Sequence, residues 1–159
     1  MSMPKRMKRD KEISFRAASR EDIPFLCQLL SCLFEQEEEF APSSSLQEKA
    51  LTMIMDDPST GHILVAANDD VPIAMISILY SLSTALGGRV GVLEDMIVHP
   101  DFRARGIGSS LLDFAARFAT EQQLKRLTLL TDMSNKKAHS FYLKNGFIAS
   151  KMTPFRKII

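Results

Sequence analysis

Hydrophobic positions along the chain change their period several times, and each change marks a predicted element. Across residues 23–34 they recur every three or four positions, which indicates an amphipathic helix. Residues 62–67 and 71–80 are two apolar runs separated by a polar turn, a pattern typical of a β-hairpin. Residues 90–98 form a further strand-like run that Pro100 stops.

After Pro100 the period returns to that of a helix, over residues 107–121. A short strand at 126–131, a helix at 136–144 closed by Gly146, and a last strand at 147–150 follow. With an early strand and a second helix, the predicted order is β-α-α-β-β-β-α-β-α-β. Such an order predicts a single α/β domain, with a mixed central sheet of about six to seven strands and helices on both faces.

Length and charge narrow the class of protein. The 159 residues suit one domain, and 20 Lys and Arg face 19 Asp and Glu, so the net charge of +1 gives no general attraction to nucleic acid or to an anionic membrane. The basic residues before position 10 are interpreted as a flexible tail, residues 1–10, ahead of a domain at 11–159. The acidic cluster at 35–39 is interpreted as a solvated helix end, with attraction of a polycation as the alternative.

Cysteine and histidine usage gives no sign of a metal or of an oxidising compartment. Cys27 and Cys32 fall on different faces of a predicted helix, and the three histidines lack metal-ligand spacing. The first residues lack the apolar run of a signal peptide, and no apolar run approaches the roughly 20 residues of a spanning helix. We therefore expect a cytoplasmic protein without a metal and without a membrane partner.

The loop after the strand at 90–98 carries the clearest chemical signal. It contains Arg103 and Arg105, then Gly106 and Gly108 at the start of a predicted helix. The N–H groups at a helix start have no partner within the helix and carry the positive end of its dipole. Glycine lets an anion approach this backbone closely. The loop at 103–109 is therefore predicted to bind phosphate.

Other glycine motifs fit this loop less well but stay open. No Walker sequence occurs, and a dinucleotide fingerprint would need a third glycine where Leu111 stands. Asp132 follows the next strand and resembles the acidic residue that binds ribose in such proteins. A nucleotide- or NAD-binding protein and a purely structural glycine turn therefore remain as alternatives.

Three motifs in the same order resemble the GCN5-related N-acetyltransferases (GNAT family). Arg103, Gly106 and Gly108 match the phosphate loop of that family, and the preceding strand carries the acidic pair Glu94 and Asp95. Asn135 is followed seven residues later by Tyr142 and then by Gly146 and Phe147, as is usual in the family. The resemblance spans nearly the whole chain. It implies a splayed sheet and the use of acetyl-coenzyme A as cosubstrate.

The resemblance also implies which residues bind that cosubstrate. Backbone groups along the strand at 96–98 would pair with the pantetheine arm as an added strand would, the loop would hold the pyrophosphate, and Asn135 would lie near the thiol end. The candidate coenzyme-binding residues are thus Met96, Ile97, Val98, Arg103, Ala104, Arg105, Gly106, Ile107, Gly108, Ser109 and Asn135.

The implied chemistry needs a base and an acid. A free alkylammonium has a pKa of about 10.4, so the acceptor amine must lose a proton before it attacks. Glu94 is the candidate base with Asp95 in reserve, and Tyr142 is the candidate acid for the leaving thiolate. A backbone N–H near Met96 would stabilise the developing oxyanion. The structural alternatives are a solvated Glu94, a packing role for Tyr142 and a helix cap at Asn135.

The function implied is acetyl transfer to a primary amine of a small molecule, by direct attack in a ternary complex. Polyamine-like, amino acid-like and aminoglycoside-like acceptors are all compatible with the sequence. The alternatives are acetylation of a protein or peptide and a non-catalytic module that senses acetyl-coenzyme A. Relatives are often dimers, so a homodimer is an expectation by analogy.

Overall fold

A computed structural model describes residues 12–36 and 42–159. The basic tail at 1–10 and the acidic residues 37–39 lie outside the described residues, so those expectations stay predictions. The described chain contains five strands and four α-helices. In order they are β1 (Ile13–Ala17), α1 (Ile23–Phe34), α2 (Ser44–Asp56), β2 (Gly61–Asn68), β3 (Val71–Ser83), β4 (Gly88–Val98), α3 (Ile107–Glu121), β5 (Leu127–Leu129) and α4 (Lys136–Lys144).

The strands form one mixed sheet in the order β1-β2-β3-β4-β5. The first three pairings are antiparallel, and β4 pairs with β5 in parallel. The α/β class with a mixed sheet is confirmed, but the described chain has five strands rather than six to seven. The strand expected at 147–150 is not formed, because strand structure depends on pairing with a neighbouring strand and none of these residues pairs with a described strand of the sheet.

Helices cover both faces of the sheet, as the sequence predicts. On one face α3 packs over a core that includes Leu64, Ile76, Ile78 and Leu111. On the other face α1 and α2 cover Val65, Met75 and Ile97, among others. We call these the α3 face and the α1 face. In the part of the chain that the structure describes, no helix has the length and apolar character to cross a bilayer.

A buried ion pair fixes the entry to α1. Asp22 is 4% exposed and ends the turn at Arg20–Asp22 that precedes the helix. Its carboxylate accepts two hydrogen bonds from Arg16 of β1, at 2.7 and 3.0 Å, and two from Ser19, from the backbone N–H at 2.7 Å and from Oγ at 3.3 Å. Four donors compensate for the burial of this charge, so β1 and α1 are joined by polar contacts as well as by the core.

Candidate active site

A β-bulge interrupts β4 at its acidic pair. Ser77 of β3 faces Glu94 and Met75 faces Ile97, so two residues of β4 stand where one would be regular. Asp95 takes a positive φ of 53°, a left-handed conformation that aspartate tolerates better than most residues. The sequence predicts a regular strand here, and only the Asp itself hints at the irregularity.

The sheet opens directly beside this bulge. β4 and β5 pair only from Gly91 with Leu127 to Leu93 with Leu129. From Glu94 onward β4 has no β5 partner among the described residues, while its other edge stays paired with β3 as far as Val98. The splayed sheet that the resemblance implies is therefore present. We call this opening the β4–β5 gap.

The backbone at the end of β4 presents alternate residues to the gap. His99 N–H donates to Ile73 O at 2.7 Å, so His99 points toward β3. Because backbone groups alternate in an antiparallel ladder, Ile97 also points toward β3 and Val98 points into the gap. The side chain of Arg103 turns back here, and its Nε donates to Val98 O at 3.0 Å. Of the neighbours Ile97 and Val98, Val98 is therefore the one whose backbone faces the gap.

The phosphate loop folds so that the start of α3 is exposed. Ala104 and Gly106 both have a positive φ, 59° and 76°, and Gly106 is the N-cap of α3. The first helical hydrogen bond joins Ser110 N–H to Gly106 O at 3.0 Å, so the N–H groups of Ile107, Gly108 and Ser109 have no partner within the helix. Three adjacent amides at the positive end of a 15-residue helix form an anion-binding surface.

The arginines of the loop differ in what they contact. Arg103 N–H already donates to Pro100 O at 3.3 Å, and its Nε is the donor to Val98. The Arg105 guanidinium lies 5.3 Å from the centre of the Phe102 ring. Arg103 thus braces the loop against β4, whereas Arg105 is held at the surface beside an aromatic ring.

Helix α4 packs against the start of α3. A Cβ built on Gly108 would lie 3.4 Å from the Phe141 ring and 3.5 Å from the Val98 side chain. Asn145 Nδ2 donates to Ser109 Oγ at 3.3 Å. The phosphate loop, the end of β4 and α4 therefore meet at one end of the β4–β5 gap.

Asn135 and Tyr142 occupy α4 in different ways. Asn135 Oδ1 accepts from Ala138 N–H at 3.1 Å, so this side chain caps the helix, as the structural alternative expects. The Tyr142 ring packs at 5.2 Å from Phe141 and 5.7 Å from Phe147, measured between ring centres. Burial raises the pKa of Tyr142 to about 12, so its hydroxyl keeps its proton at neutral pH.

Glu94 and Tyr142 lie on opposite faces of the sheet. Tyr142 packs on the α3 face together with Met96 and Val98. Glu94 pairs with Ser77, which shares a face with Met75, so its exposed side chain belongs to the α1 face. In the β4–β5 gap no strand lies on the β5 side of β4, so a single molecule bound there could contact residues on both faces of the sheet.

Sequence reasoning missed Ser77. This residue is fully buried, and its Oγ has no hydrogen-bond partner among the described residues. No sequence signal marks it, since a serine in an apolar strand shows its burial only after folding. Within residues 12–36 and 42–159 no three His, Cys, Asp or Glu side chains gather as metal ligands would.

Comparison with known proteins decides the family. The sequence model of the acetyltransferase (GNAT) family matches residues 23–147, from α1 to the residue after the α4 cap. The chain belongs to the GNAT acetyltransferase family. Proteins of this family take their acetyl group from acetyl-coenzyme A, so the chain is an acetyltransferase enzyme.

Individual relatives of this acetyltransferase agree with the family. The uncharacterized N-acetyltransferase YhfO of Bacillus subtilis is 32% identical over 117 residues, which cover 72% of this chain and 78% of the relative. The aminoalkylphosphonate N-acetyltransferase of Salmonella typhimurium is 30% identical over 100 residues, or 63% and 62% of the two chains. A possible acetyltransferase from Clostridium difficile has the same fold, with a TM-score of 0.84 at 17% identity over 94% of this chain and 99% of that one.

Proposed function

We propose that this acetyltransferase moves the acetyl group of acetyl-coenzyme A to a primary amine of a small molecule, with both bound at once in a ternary complex. One observation carries this proposal. The β4–β5 gap opens immediately after the pair Leu93 and Leu129, with Glu94 on one side of the sheet and Tyr142 on the other. A base and an acid on opposite sides of one opening suit a direct transfer.

The residues around the gap fit the coenzyme. The amides of Ile107, Gly108 and Ser109, which have no partner within α3, suit a pyrophosphate. The Val98 backbone faces the gap, with its carbonyl already accepting from Arg103 Nε, and its N–H suits an extended arm with amide groups. When bound, acetyl-coenzyme A supplies the thioester carbonyl. The residues that would hold it are Met96, Val98, Arg103, Ala104, Arg105, Gly106, Ile107, Gly108, Ser109 and Asn135. Ile97, which the sequence also suggests, has its backbone paired with β3 and is left out of this set.

Glu94 would receive the proton of the acceptor amine, directly or through water. Its side chain is exposed on the α1 face, so an amine that arrives from solvent can reach it. An ammonium group with a pKa of about 10.4 is almost wholly protonated at neutral pH, so removal of this proton is a required step. Asp95 is the second candidate, since it is the next residue along β4 and lies within the bulge, with a φ of 53°.

Tyr142 would donate a proton to the departing thiolate. The Tyr142 hydroxyl is protonated throughout the neutral range and is available to donate, while burial, which raises its pKa to about 12, makes it a weaker acid than a free tyrosine. A backbone N–H near Met96 would face the oxygen on which negative charge develops. Asn135 would contact the arm through the groups that its capping bond to Ala138 leaves available.

A small-molecule acceptor is supported by the named activity of one relative. The Salmonella protein is an aminoalkylphosphonate N-acetyltransferase, and its match covers 63% of this chain. An aminoalkylphosphonate is a small primary amine, so the shared part of the chain is compatible with such an acceptor. Polyamine-like, amino acid-like and aminoglycoside-like amines belong in the same assay.

Thiol release tests this function directly. We expect acetyl-coenzyme A to yield free thiol with at least one small amine, and coenzyme A to raise the melting temperature while ATP and NAD do not. Stabilisation by NAD or ATP alone would contradict coenzyme binding. Coenzyme binding without turnover on any amine would favour a sensing module, and turnover only on peptides would favour a protein acetyltransferase.

A further inference from the structure

The turn between β5 and α4, residues 132–135, carries the coenzyme candidate Asn135 and has little apolar packing of its own. Met133 is 86% exposed, and Ser134 and Asn135 are exposed as well. Burial of side chains therefore contributes little to the position of this segment, which depends mainly on its hydrogen bonds. We call residues 132–135 the β5–α4 turn.

One carbonyl oxygen accepts two hydrogen bonds that shape the β5–α4 turn. Asp132 O accepts from Asn135 N–H at 3.0 Å, which closes a four-residue β-turn. The same oxygen lies 2.9 Å from His139 Nε2. A carbonyl oxygen can only accept, so Nε2 must carry the hydrogen and His139 is the donor. A side chain one turn into α4 thus reaches back to the first residue of the β5–α4 turn.

The direction of this bond determines the state of the His139 ring. A neutral imidazole carries one hydrogen, and here that hydrogen is on Nε2, which leaves Nδ1 as an acceptor. A protonated imidazole carries a hydrogen on both nitrogens, so Nε2 donates in that form too. The bond between α4 and the β5–α4 turn is therefore kept in both protonation states of the ring.

Helix α4 is a fixed support for this side chain because both of its ends are closed. At its start the capping bond of Asn135 satisfies a free amide of the first turn. At its end Gly146 has a φ of 90°, and its N–H donates to Leu143 O at 3.2 Å. Phe147 N–H donates to Tyr142 O at 3.0 Å. The last two bonds form a Schellman motif, which confirms Gly146 as the predicted cap.

His139 stands between the two residues of α4 that the proposed function places at the coenzyme. Asn135, His139 and Tyr142 are four and three residues apart, so they share one side of the helix. Because β5 runs parallel to β4, the chain that leaves β5 continues on the side of the β4–β5 gap opposite β4. The bond from His139 to Asp132 therefore joins that side of the gap to the helix that carries Tyr142.

We propose that His139 is a positioning residue for the coenzyme. Its bond to Asp132 holds the β5–α4 turn against the first turn of α4, and so fixes Asn135 and the width of the gap for the pantetheine arm. This inference rests on the proposed function, because it takes the arm to lie in the β4–β5 gap. Without the bond the turn keeps its own hydrogen bond from Asn135, but the first turn of α4 can fray and the arm loses a fixed wall.

The tautomer of His139 tests the bond on the unmodified chain without any ligand. Nitrogen chemical shifts distinguish a neutral ring with its hydrogen on Nε2 from one with its hydrogen on Nδ1. The spectrum of His139→Gln lacks this ring and so assigns it among the three histidines. We expect the Nε2–H form. A ring with its hydrogen on Nδ1 would overturn the positioning role while thiol release by the enzyme persists, so this failure is distinct from failure of the proposed function.

Two substitutions at His139 separate positioning from packing. His139→Leu keeps an apolar side chain at this half-buried position but has no donor, whereas His139→Gln carries an amide N–H₂ near the place of Nε2. We expect His139→Leu to raise the KM of acetyl-coenzyme A about tenfold and to lower kcat less than about threefold. His139→Gln should stay within about twofold of the unmodified enzyme in both constants. An unchanged KM in His139→Leu would overturn the proposal, and so would equal losses in both variants.

Arg16→Leu is the matched control for a general loss of stability. Arg16 lies on β1, at the opposite edge of the sheet from β5, so this variant should melt earlier yet keep the KM of acetyl-coenzyme A. A rise in KM equal to that of His139→Leu would show that stability rather than position sets the constant, and would contradict the role of His139. If no amine is acetylated, calorimetry with coenzyme A replaces KM, and His139→Leu is again expected to weaken binding about tenfold. Absence of coenzyme A binding in the unmodified chain would overturn the proposed function and this inference together.

Discussion

Ser77 of β3 lies directly opposite Glu94 of β4, on the last regular pair before the β4 bulge. The two side chains differ sharply in environment, since Glu94 is exposed and Ser77 is fully buried. Ser77 Oγ has no hydrogen-bond partner among the described residues. A buried hydroxyl without a partner costs about 1–3 kcal/mol, so this site carries a local penalty beside the proposed base.

Ser77→Ala is expected to remove that penalty. The free energy of unfolding should rise by about 1 kcal/mol, because the variant deletes a polar atom and leaves the strand intact. Urea denaturation measures the change, and Ser81→Ala, at an exposed position of the same strand, should stay within about 0.5 kcal/mol. A loss of stability in Ser77→Ala would mean that Oγ has a partner in solution.

The bulge beside Ser77 illustrates what the sequence can and cannot predict here. Periodicity identifies the strand at 90–98, the phosphate loop and the helix cap at Gly146 because each depends on neighbours in the sequence. The bulge depends on pairing with β3, and the orphan hydroxyl depends on α1 covering that face, so neither has a local signal. The strand predicted at 147–150 does not form for the same reason, because a strand must pair with a neighbouring strand and the local sequence pattern does not show whether one is available.

Glu94→Gln tests the proposed base. The change keeps the size of the side chain and removes its ability to accept a proton, so kcat/KM for the amine should fall by roughly 10²–10⁴. The dissociation constant of coenzyme A should be nearly unchanged, because the phosphate loop is untouched. Steady-state kinetics and calorimetry measure the two quantities.

Glu121→Gln at the exposed end of α3 is the matched control for Glu94→Gln and should leave both quantities as they are. Unchanged turnover in Glu94→Gln would remove Glu94 from the mechanism. Asp95→Asn would then be the next variant, since Asp95 is the second candidate base.

Tyr142 should be visible in an alkaline titration. The chain has two tyrosines, and the pKa of about 12 for Tyr142 predicts one late rise in tyrosinate absorbance that Tyr142→Phe abolishes. Because the folded pKa lies above the unfolded value of about 10, this hydroxyl adds stability below pH 10 that is lost as the pH rises through 12. Tyr142→Phe should lose part of that alkaline dependence.

The catalytic role of Tyr142 is a separate expectation. If its hydroxyl supplies the proton to the leaving thiolate, Tyr142→Phe lowers kcat by on the order of 10²-fold while KM for the amine changes little. Tyr80→Phe is the control, because Tyr80 contacts His62 at 2.6 Å rather than the residues of the gap. Equal rates in both variants would leave Tyr142 as a packing residue only.

Gly106 and Gly87 form a matched pair for the phosphate loop. Both have a positive φ, 76° and 65°, and a Cβ at either position would meet no atom within 4 Å. Replacement by alanine should therefore lower the free energy of unfolding of either variant by a similar amount, about 1 kcal/mol. Gly106 is the N-cap of α3, whereas Gly87 lies in the turn between β3 and β4. Only Gly106→Ala should therefore weaken coenzyme A binding, with a dissociation constant about tenfold higher. Calorimetry that finds equal affinities in both variants would place the coenzyme away from this loop.

The ion pair between Arg16 and Asp22 makes a prediction about acid stability. Burial by itself would raise the pKa of Asp22, but hydrogen bonds from Arg16 and Ser19 outweigh it and hold that pKa below its usual range. Asp22 therefore adds stability that is present above its unfolded pKa of about 3.9 and is lost as the pH falls through the lower folded value. Arg16→Leu removes two of the four donors and the only positive charge among them, so it leaves a buried carboxylate poorly compensated and should cost about 2 kcal/mol at pH 7.

Arg117→Leu is the natural comparison for Arg16→Leu. Arg117 pairs with Asp113 one turn away on α3 at 3.4 Å, but both side chains are largely exposed, 68% and 72%. Solvent screens such a pair, so its loss should change the free energy of unfolding by less than about 0.5 kcal/mol.

The two variants should also differ in their acid stability. In Arg16→Leu the hydrogen bonds from Arg16 no longer lower the pKa of Asp22, and burial, which raises it, becomes the dominant influence. The loss of stability between pH 5 and pH 3 should therefore be smaller in Arg16→Leu than in the unmodified chain. Urea denaturation across that range measures both effects, and parallel acid curves for the two variants would show that Arg16 does not control the ionisation of Asp22.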